Sequence, residues 1–516
     1  MKKYLLLLQF ILPFHSTIFA QVPEDALRYS FYPQNGTARS LSIGGAMGSL
    51  GGDMNAVFVN PAGLGFFKTS EFVLTPGFMF NTNKASFRGS SSTYQNNNFG
   101  FGTSGLVEGF SNSNKPGSSI AVAFAVTQTA NFNSIIQYKG LNNYSSFSEQ
   151  FAEEFAKSRY SIDAVISPGS PFPFTSGPAL NTYLIDTVTI NGIQVIKAAP
   201  EYILDAGKAL MQEINKTTKG GITELSLGFG LNKKDKWFWG GSIGLPLINY
   251  TSNTIFKESD TSNNANNHFK SFEFNDNFTT RGIGANIKVG VIYRPVEYIR
   301  LGLAIHSPTY MSLTDKRTTT IATALENPVA NFNTSSNSLT NDKPGEVNYA
   351  QLTPFKAIFS ASYVFREISD VRKQRAFITA DIEYVHHKGS SFRTESKDAG
   401  AQQKSYYGML NKVIGDIYKG NFNFRAGAEL KFNIIMARLG FGYYGNPYND
   451  PALKASRMQF SGGLGYRNKG VFVDLTYVHT TTTDVNFPYR LEDRANTYAT
   501  LKQQKGNIAI TLGFKL

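Results

Sequence analysis

The chain of 516 residues contains no cysteine, only two tryptophans, and no run of about eighteen consecutive apolar residues. Without cysteine there is no disulfide, no thiolate metal site, no thiol nucleophile and no lipid-modified N-terminal cysteine. Without a long apolar run there is no helical membrane span. A catalytic role has little support. No His-Glu-x-x-His pattern occurs, and the neighbouring His386 and His387 point to opposite faces of a strand, so they share no metal unless a bulge turns one of them. No enzyme activity, metal or other cofactor is therefore expected. The formal charge of +13 includes Lys2 and Lys3, and the other basic residues are scattered. No nucleic-acid footprint stands out, while anionic lipid headgroups and carboxylate ligands remain possible partners.

What is present begins with an export signal. Met1–Ala20 has Lys2 and Lys3, an apolar stretch from Tyr4 to Leu12 interrupted soon after by Pro13 and His15, and a small residue at its end. Beyond about residue 71, segments alternate at period two. In the stretch 280–293, Ile283, Ala285, Ile287, Val289 and Val291 share one face, and Gly282, Gly284, Asn286, Lys288 and Gly290 the other. The same holds for 224–231, 355–365 and 422–430. The polar faces carry so much glycine and opposed charge that they read as a hydrated barrel interior, with the apolar faces toward lipid.

Turn signals alternate in length. Short ones fall at 111–117, 232–236, 294–297, 366–374, 431–433 and 467–470. Long polar ones fall at 90–98, 140–220, 251–277, 312–349, 389–420, 445–455 and 481–496. Seven long and six short connections predict about fourteen strands, an even number with both termini periplasmic. The fold class expected is all-β, a transmembrane antiparallel β-barrel, with aromatics such as Trp237, Trp239, Tyr293, Tyr298, Tyr443, Tyr444 and Tyr466 at the interfaces. Two loop stretches have helical spacing: 147–157, with Phe151 and Phe155, and 205–216, with Leu210, Met211 and Ile214 on one face. They read either as an apolar shelf for a ligand or as packing that caps the loop. In the third strand, 118–138, alternation fails across 126–131, which marks either a lateral opening or a plain β-bulge.

The mature residues 21–70 lack this alternation. Within them Ser49–Gly65 (SLGGDMNAVFVNPAGLG) is compact and punctuated by glycine and proline, a folded turn held inside something larger. A barrel of fourteen strands is too wide to be filled by its own side chains, so this segment is the natural plug. The stretch 46–65, with Asp53, Asn55, Asn60, Pro61, Ala62 and Gly63, resembles the N-terminal hatch of the FadL/TodX family of outer-membrane transporters. GIGANIKVGVIYRPVEYIRLGLAIHS (282–307), FITADIEY (377–384) and ARLGFGYYGNP (437–447) are similar to that family as well.

The resemblance implies a monomeric barrel in a Gram-negative outer membrane, inserted by the barrel-assembly machinery and surrounded by outer-membrane lipid. It implies loop capture of a fatty acid or hydrocarbon, passage past the hatch, and lateral release. Inward Lys288, Arg425 and Arg438 are candidates for meeting a substrate carboxylate. The competing reading pairs them with Asp381, Glu383 and Glu429, or pins Asp53 of the hatch. The alternative function is a cargo-shuttle or docking component of a type IX secretion system, with 140–220 as the docking surface.

Overall fold

The computed structural model describes residues 21–111, 117–326, 329–365, 375–395, 401–451 and 453–516. The export signal at Met1–Ala20 and the turn at 366–374 lie outside the described residues. Fourteen antiparallel strands close into a barrel. β1 is Glu71–Leu74 continued by Pro76–Phe87, β2 is Ser90–Phe101 continued by Ser104–Ser111, and β3 is Ser119–Asn131 continued by Ser134–Asn142. β4 (Leu210–Lys233), β5 (Trp237–Asp260) and β6 (Ser271–Val296) are long and unbroken. β7 (Ile299–His306 and Tyr310–Glu326), β8 (Gly345–Leu352 and Lys356–Phe365) and β9 (Ala376–His386 and Ser391–Thr394) are each interrupted once. β10 (Gly420–Phe432), β11 (Ile435–Tyr444), β12 (Arg457–Asn468), β13 (Val471–Asn486) and β14 (Ala499–Lys515) complete the wall. The first and last strands seal it, with Glu71 opposite Lys515 and Gly77 opposite Ala509.

Each long strand reverses its polarity once without losing register. In the lower half of β5, Trp239, Ile243, Leu245 and Leu247 face outward and are exposed, while Ser242 is buried toward the lumen. Higher up, Phe256 is buried on the inward face and Lys257 is exposed on the outward one. The cause is the medium. Hydrocarbon surrounds the lower half, whereas water surrounds the upper half, whose inner face packs on loops. At the other end Trp237 stacks on Tyr293 with ring centroids 4.2 Å apart, beside the turn that joins β4 to β5.

This reversal corrects several expectations. Residues 90–98, read as a loop because they are polar, form part of β2, and the connection is the two-residue turn Arg88-Gly89, with φ of 48° and 81°. Of the loop expected at 251–277, only 261–270 lies outside the β5–β6 ladder. The helix expected at 205–216 ends at Asp205, and Leu210 opens β4. Leu210 and Ile214 therefore face inward while Met211 faces away from them, because apolar residues four apart also fall on one side of a strand. Tyr444 is no interfacial residue: it is buried in the lumen, where its hydroxyl accepts from Gln34 N at 2.9 Å.

The helix expected at 147–157 is α4 in the numbering used here, Glu149–Ser158, after α1 (Pro23–Arg28), α2 (Ala38–Ser42) and α3 (Ala56–Val59) in the N-terminal segment. Phe147, Phe151 and Phe155 are buried against Phe256, Phe272 and Phe274, and the Phe147 and Phe256 rings stack at 4.3 Å. They form the core of a cap over the long-loop end of the barrel. At its edge Glu149 accepts from Ser146 N at 2.6 Å and lies 3.2 Å from Arg494. Burial pushes the Glu149 carboxyl up to about 7 in spite of both partners. The folded cap thus holds this proton more tightly than the unfolded loop does, so its stability falls as pH rises from the ordinary glutamate range through 7. Limited proteolysis within 143–209 is expected to be slower near pH 5 than near pH 8, and Glu149→Gln should flatten that difference.

Candidate functional site: the hatch and the broken ladder

The N-terminal segment packs against the inner wall, and the wall makes room for it with glycine. Gly230, Gly240 and Gly290 stand in register across β4, β5 and β6. A Cβ on Gly240 would lie 2.3 Å from Pro61 C, one on Gly230 2.4 Å from Gly65 N, and one on Gly290 2.0 Å from Asn60 Oδ1. A second pair in register, Gly427 and Gly440 on β10 and β11, receives Ile43 and Gly44 in the same way.

Asn60 holds the turn that this notch receives. With φ −144° it precedes the 3-10 helix Pro61–Phe66, and its Oδ1 accepts from Ala62 N at 3.1 Å. Its Nδ2 donates to Gly48 O at 2.6 Å and reaches Val291 O of β6 at 3.4 Å. Gly63 N returns to Asn60 O at 2.9 Å, and Pro61, which has no N–H, sits at the first helical position. Asp53 accepts from Thr37 Oγ1 and from Asn55 N, each at 2.9 Å, with Arg39 at 4.0 Å. Asn55 donates to Ser40 Oγ at 2.8 Å and accepts from Thr103 Oγ1 of the wall at 2.9 Å. Of the hatch candidates, Asn55 and Asn60 thus bond the wall directly, and Asp53 organises the segment internally.

Thr103 lies where the wall is incomplete. The β2–β3 ladder runs from Ser111↔Ser119 to Ser104↔Val126 and stops. Above it the outer half of β2 pairs with β1, while the outer half of β3 pairs with β4. The window 126–131 contains the β-bulge anticipated as one of two readings, between Gln128 and Ala130 against β4, and the pairing with β2 ends at Val126. Wall side chains cross the break higher up, Asn131 Nδ2 donating to Asn98 Oδ1 at 2.9 Å and Ser92 Oγ to Gln137 O at 2.5 Å, and the N-terminal segment bridges its lower end. Asn35 Nδ2 donates to Phe101 O of β2 at 3.0 Å and to Gln128 O of β3 at 2.7 Å, and Gly36 O accepts from Thr103 N at 3.1 Å. Asn35 was not among the sequence candidates; an asparagine just before a glycine was the only signal it offered.

The three inward cations are already engaged. Lys288 contacts Glu224 and donates to Asn286 Oδ1 at 2.6 Å. Arg425 lies 3.4 Å from Glu383 and 3.8 Å from Asp381, and Arg438 lies 2.5 Å from both Glu429 and Asp474. The partner that reaches Asp53 is Arg39 of the hatch itself. Two further lumen cations, which the sequence reading did not single out, face aromatic rings: Lys356 Nζ lies 5.4 Å from the centre of Tyr32, and Arg457 Cζ 4.4 Å from that of Phe31. Above them Tyr29, Phe132, Tyr250, Met311, Tyr349, Phe392, Leu410 and Ile414 form one apolar cluster between α1, the wall and the helix Ala401–Ile417. The string Gly240-Gly241-Ser242-Ile243-Gly244 has the Gly-x-Ser-x-Gly spacing of a nucleophile motif, which corrects the expectation that the chain holds none. It lies within a strand rather than at a strand-to-helix turn, and Ser242 Oγ donates to Val57 O at 2.8 Å.

No family model and no curated protein matches the sequence. Solved structures match the fold. The chain is similar to a FadL homologue from Pseudomonas aeruginosa, with a TM-score of 0.52 at 13% identity, covering 94% of this chain and 99% of that one. The toluene transporter TodX of P. putida gives a TM-score of 0.52 at 12% identity over the same shares, 94% and 99%. The architecture is therefore that of a β-barrel of the FadL type.

Removing the Asn35 amide is expected to free the Phe101 and Gln128 carbonyls without unfolding the barrel. Asn35→Ala should increase hydrogen exchange at residues 101–103 and 127–129 while leaving the β5–β6 ladder protected. Gly290→Val is expected to displace Asn60 and to raise exchange across residues 60–66.

Proposed function

We propose that the chain carries hydrophobic compounds, long-chain fatty acids or hydrocarbons, across an outer membrane by capture outside, passage beside the hatch and lateral release. The observation that carries this reading is the break in the β2–β3 ladder, which begins at Gly102-Thr103 and is bridged by Asn35 of the hatch. A shift of the hatch would break the Asn35 bridge and leave β2 and β3 joined above it by side-chain bonds alone, Asn131 Nδ2 to Asn98 Oδ1 and Ser92 Oγ to Gln137 O, a weak seam that could part toward lipid. A lipophile gains roughly 0.8 kcal/mol for each methylene removed from water, so an apolar chamber that opens sideways suits it better than an aqueous pore. The apolar cluster between α1 and the helix Ala401–Ile417 is the proposed chamber, and the FadL-type fold supports the same reading.

The hatch residues Asp53, Asn55, Asn60, Pro61, Ala62 and Gly63 are assigned to gating. Lys288, Arg425 and Arg438 are assigned to closing the lumen electrostatically, since each already has carboxylate partners. Lys356 and Arg457 make no ion pair among the described residues and stand beside Tyr32 and Phe31, which makes them the proposed contacts for a carboxylate headgroup.

Native mass spectrometry of detergent-extracted protein should show a co-purified lipophile. A clean barrel, together with loss of surface-anchored proteins on deletion, would instead support a cargo-docking role in secretion. Asn60→Ala is expected to lower uptake severalfold while the folded barrel keeps its heat resistance on gels. The double variant Lys356→Gln, Arg457→Gln should lose retention of a fatty acid about tenfold and keep that of an uncharged alkane; equal loss of both would remove the carboxylate assignment.

A further inference from the structure

The outward face of the upper wall follows a charge rule with one exception. Wherever a lysine on this face opposes an ionisable residue across a ladder, that residue is a glutamate: Lys257 opposite Glu273, Lys316 opposite Glu346 and Lys139 opposite Glu213. The first two pairs are ion pairs of 2.8 and 2.9 Å. Lys84 of β1 opposes Lys502 of β14, both exposed, and neither makes an ion pair among the described residues. Directly opposed like charges destabilise a ladder, with side chains only about 5 Å apart at Cβ. An anion seated between the two ammonium groups would reverse that sign.

The rows around this pair are donor-rich and free of carboxylates. The lysines are flanked in register by Thr93 on β2 and Thr483 on β13, giving a row Thr93–Lys84–Lys502–Thr483 across four strands. The row below reads Gln95–Thr82–Gln504–Thr481, and the one above Ser91–Ser86–Thr500–Val485. Two rows further down stand Phe99, Phe78, Ile508 and Tyr477 on the same outward face, where the apolar belt begins. At about 3.4 Å per residue, the lysines lie roughly 20 Å along the strand from that apolar row. A ligand with acyl chains against the belt and phosphoryl and sugar groups above it would place its anionic groups on the lysine row and its hydroxyls on the threonines and glutamines.

We propose that the panel formed by β2, β1, β14 and β13 is a binding site for a phosphorylated glycolipid of the outer leaflet, with Lys84 and Lys502 gripping a phosphoryl group. This rests on the outer-membrane placement proposed above but not on transport, and its test involves no uptake. Purified full-length protein in detergent is incubated with lipopolysaccharide, and retained glycolipid is read by native mass spectrometry. Wild type should retain it, Lys84→Gln, Lys502→Gln should retain about tenfold less, and Lys84→Arg, Lys502→Arg should restore retention. The control Lys257→Gln, Lys316→Gln, which removes the same charge from paired sites, should bind as wild type does. Enzymatically dephosphorylated glycolipid should not be retained, and millimolar inorganic phosphate should not displace the intact form. Equal retention by the glutamine variant, equal loss in the control, undiminished binding of the dephosphorylated form, or full displacement by phosphate would each overturn the assignment.

Discussion

Direct contact between main chains fixes the interior of this barrel. The N-terminal segment brings its main chain against Gly230 and Gly240, and the Asn60 side chain against Gly290, so closely that no further side chain fits, which sets the height and orientation of the 3-10 helix Pro61–Phe66. That placement in turn puts Gly48 N 3.2 Å from Asp381, brings Ser49 against Ser360 and Ser362, and lets Arg300 reach Leu50 O at 2.5 Å. Close backbone approach is a use of glycine that side-chain contacts cannot reproduce. The amphipathic pattern explains why these strands form, and the glycine row explains why the segment inside them takes one position.

The lumen is polar because hydrocarbon on the outside leaves polar groups nowhere else to go, and its charges are arranged in closed sets. Arg425 with Asp381 and Glu383, Arg438 with Glu429 and Asp474, and Lys288 with Glu224 place every sequence-nominated cation beside a carboxylate. Removing one member of such a buried set exposes the others to an uncompensated charge, which is why these groups suit a rigid scaffold more than a transient ligand. Higher up, Lys356 and Arg457 lie against the Tyr32 and Phe31 rings and make no ion pair among the described residues.

Much of the fold was legible from the chain alone because a wall in lipid must show alternation, and fourteen strands follow from counting its interruptions. The upper wall was not legible in the same way. Residues 90–98 and 251–260 stand in water, so their outward positions are polar and the stretches read as loops. The pair Leu210 and Ile214 shows a second limit: a spacing of four places residues together on a helix and also on a strand, and only the pairing partner separates the two. Asn60 was legible because proline and glycine around it leave few conformations. Asn35 was not, since its importance comes from two carbonyls that lie 66 and 93 residues away in the chain.

The hatch also touches both ends of the wall. Ala38 N donates to Thr511 Oγ1 at 2.7 Å, and Thr511 in turn bonds Thr75 of the first strand at 2.8 Å. The N-terminal segment is thus fastened at the seam between β1 and β14, the two strands whose pairing closes the ring. One hydroxyl therefore serves both the closing seam and the segment inside it, so losing the Thr511 side chain would loosen the two together. The place where the sheet becomes a ring is thus also a place where its contents are tied down.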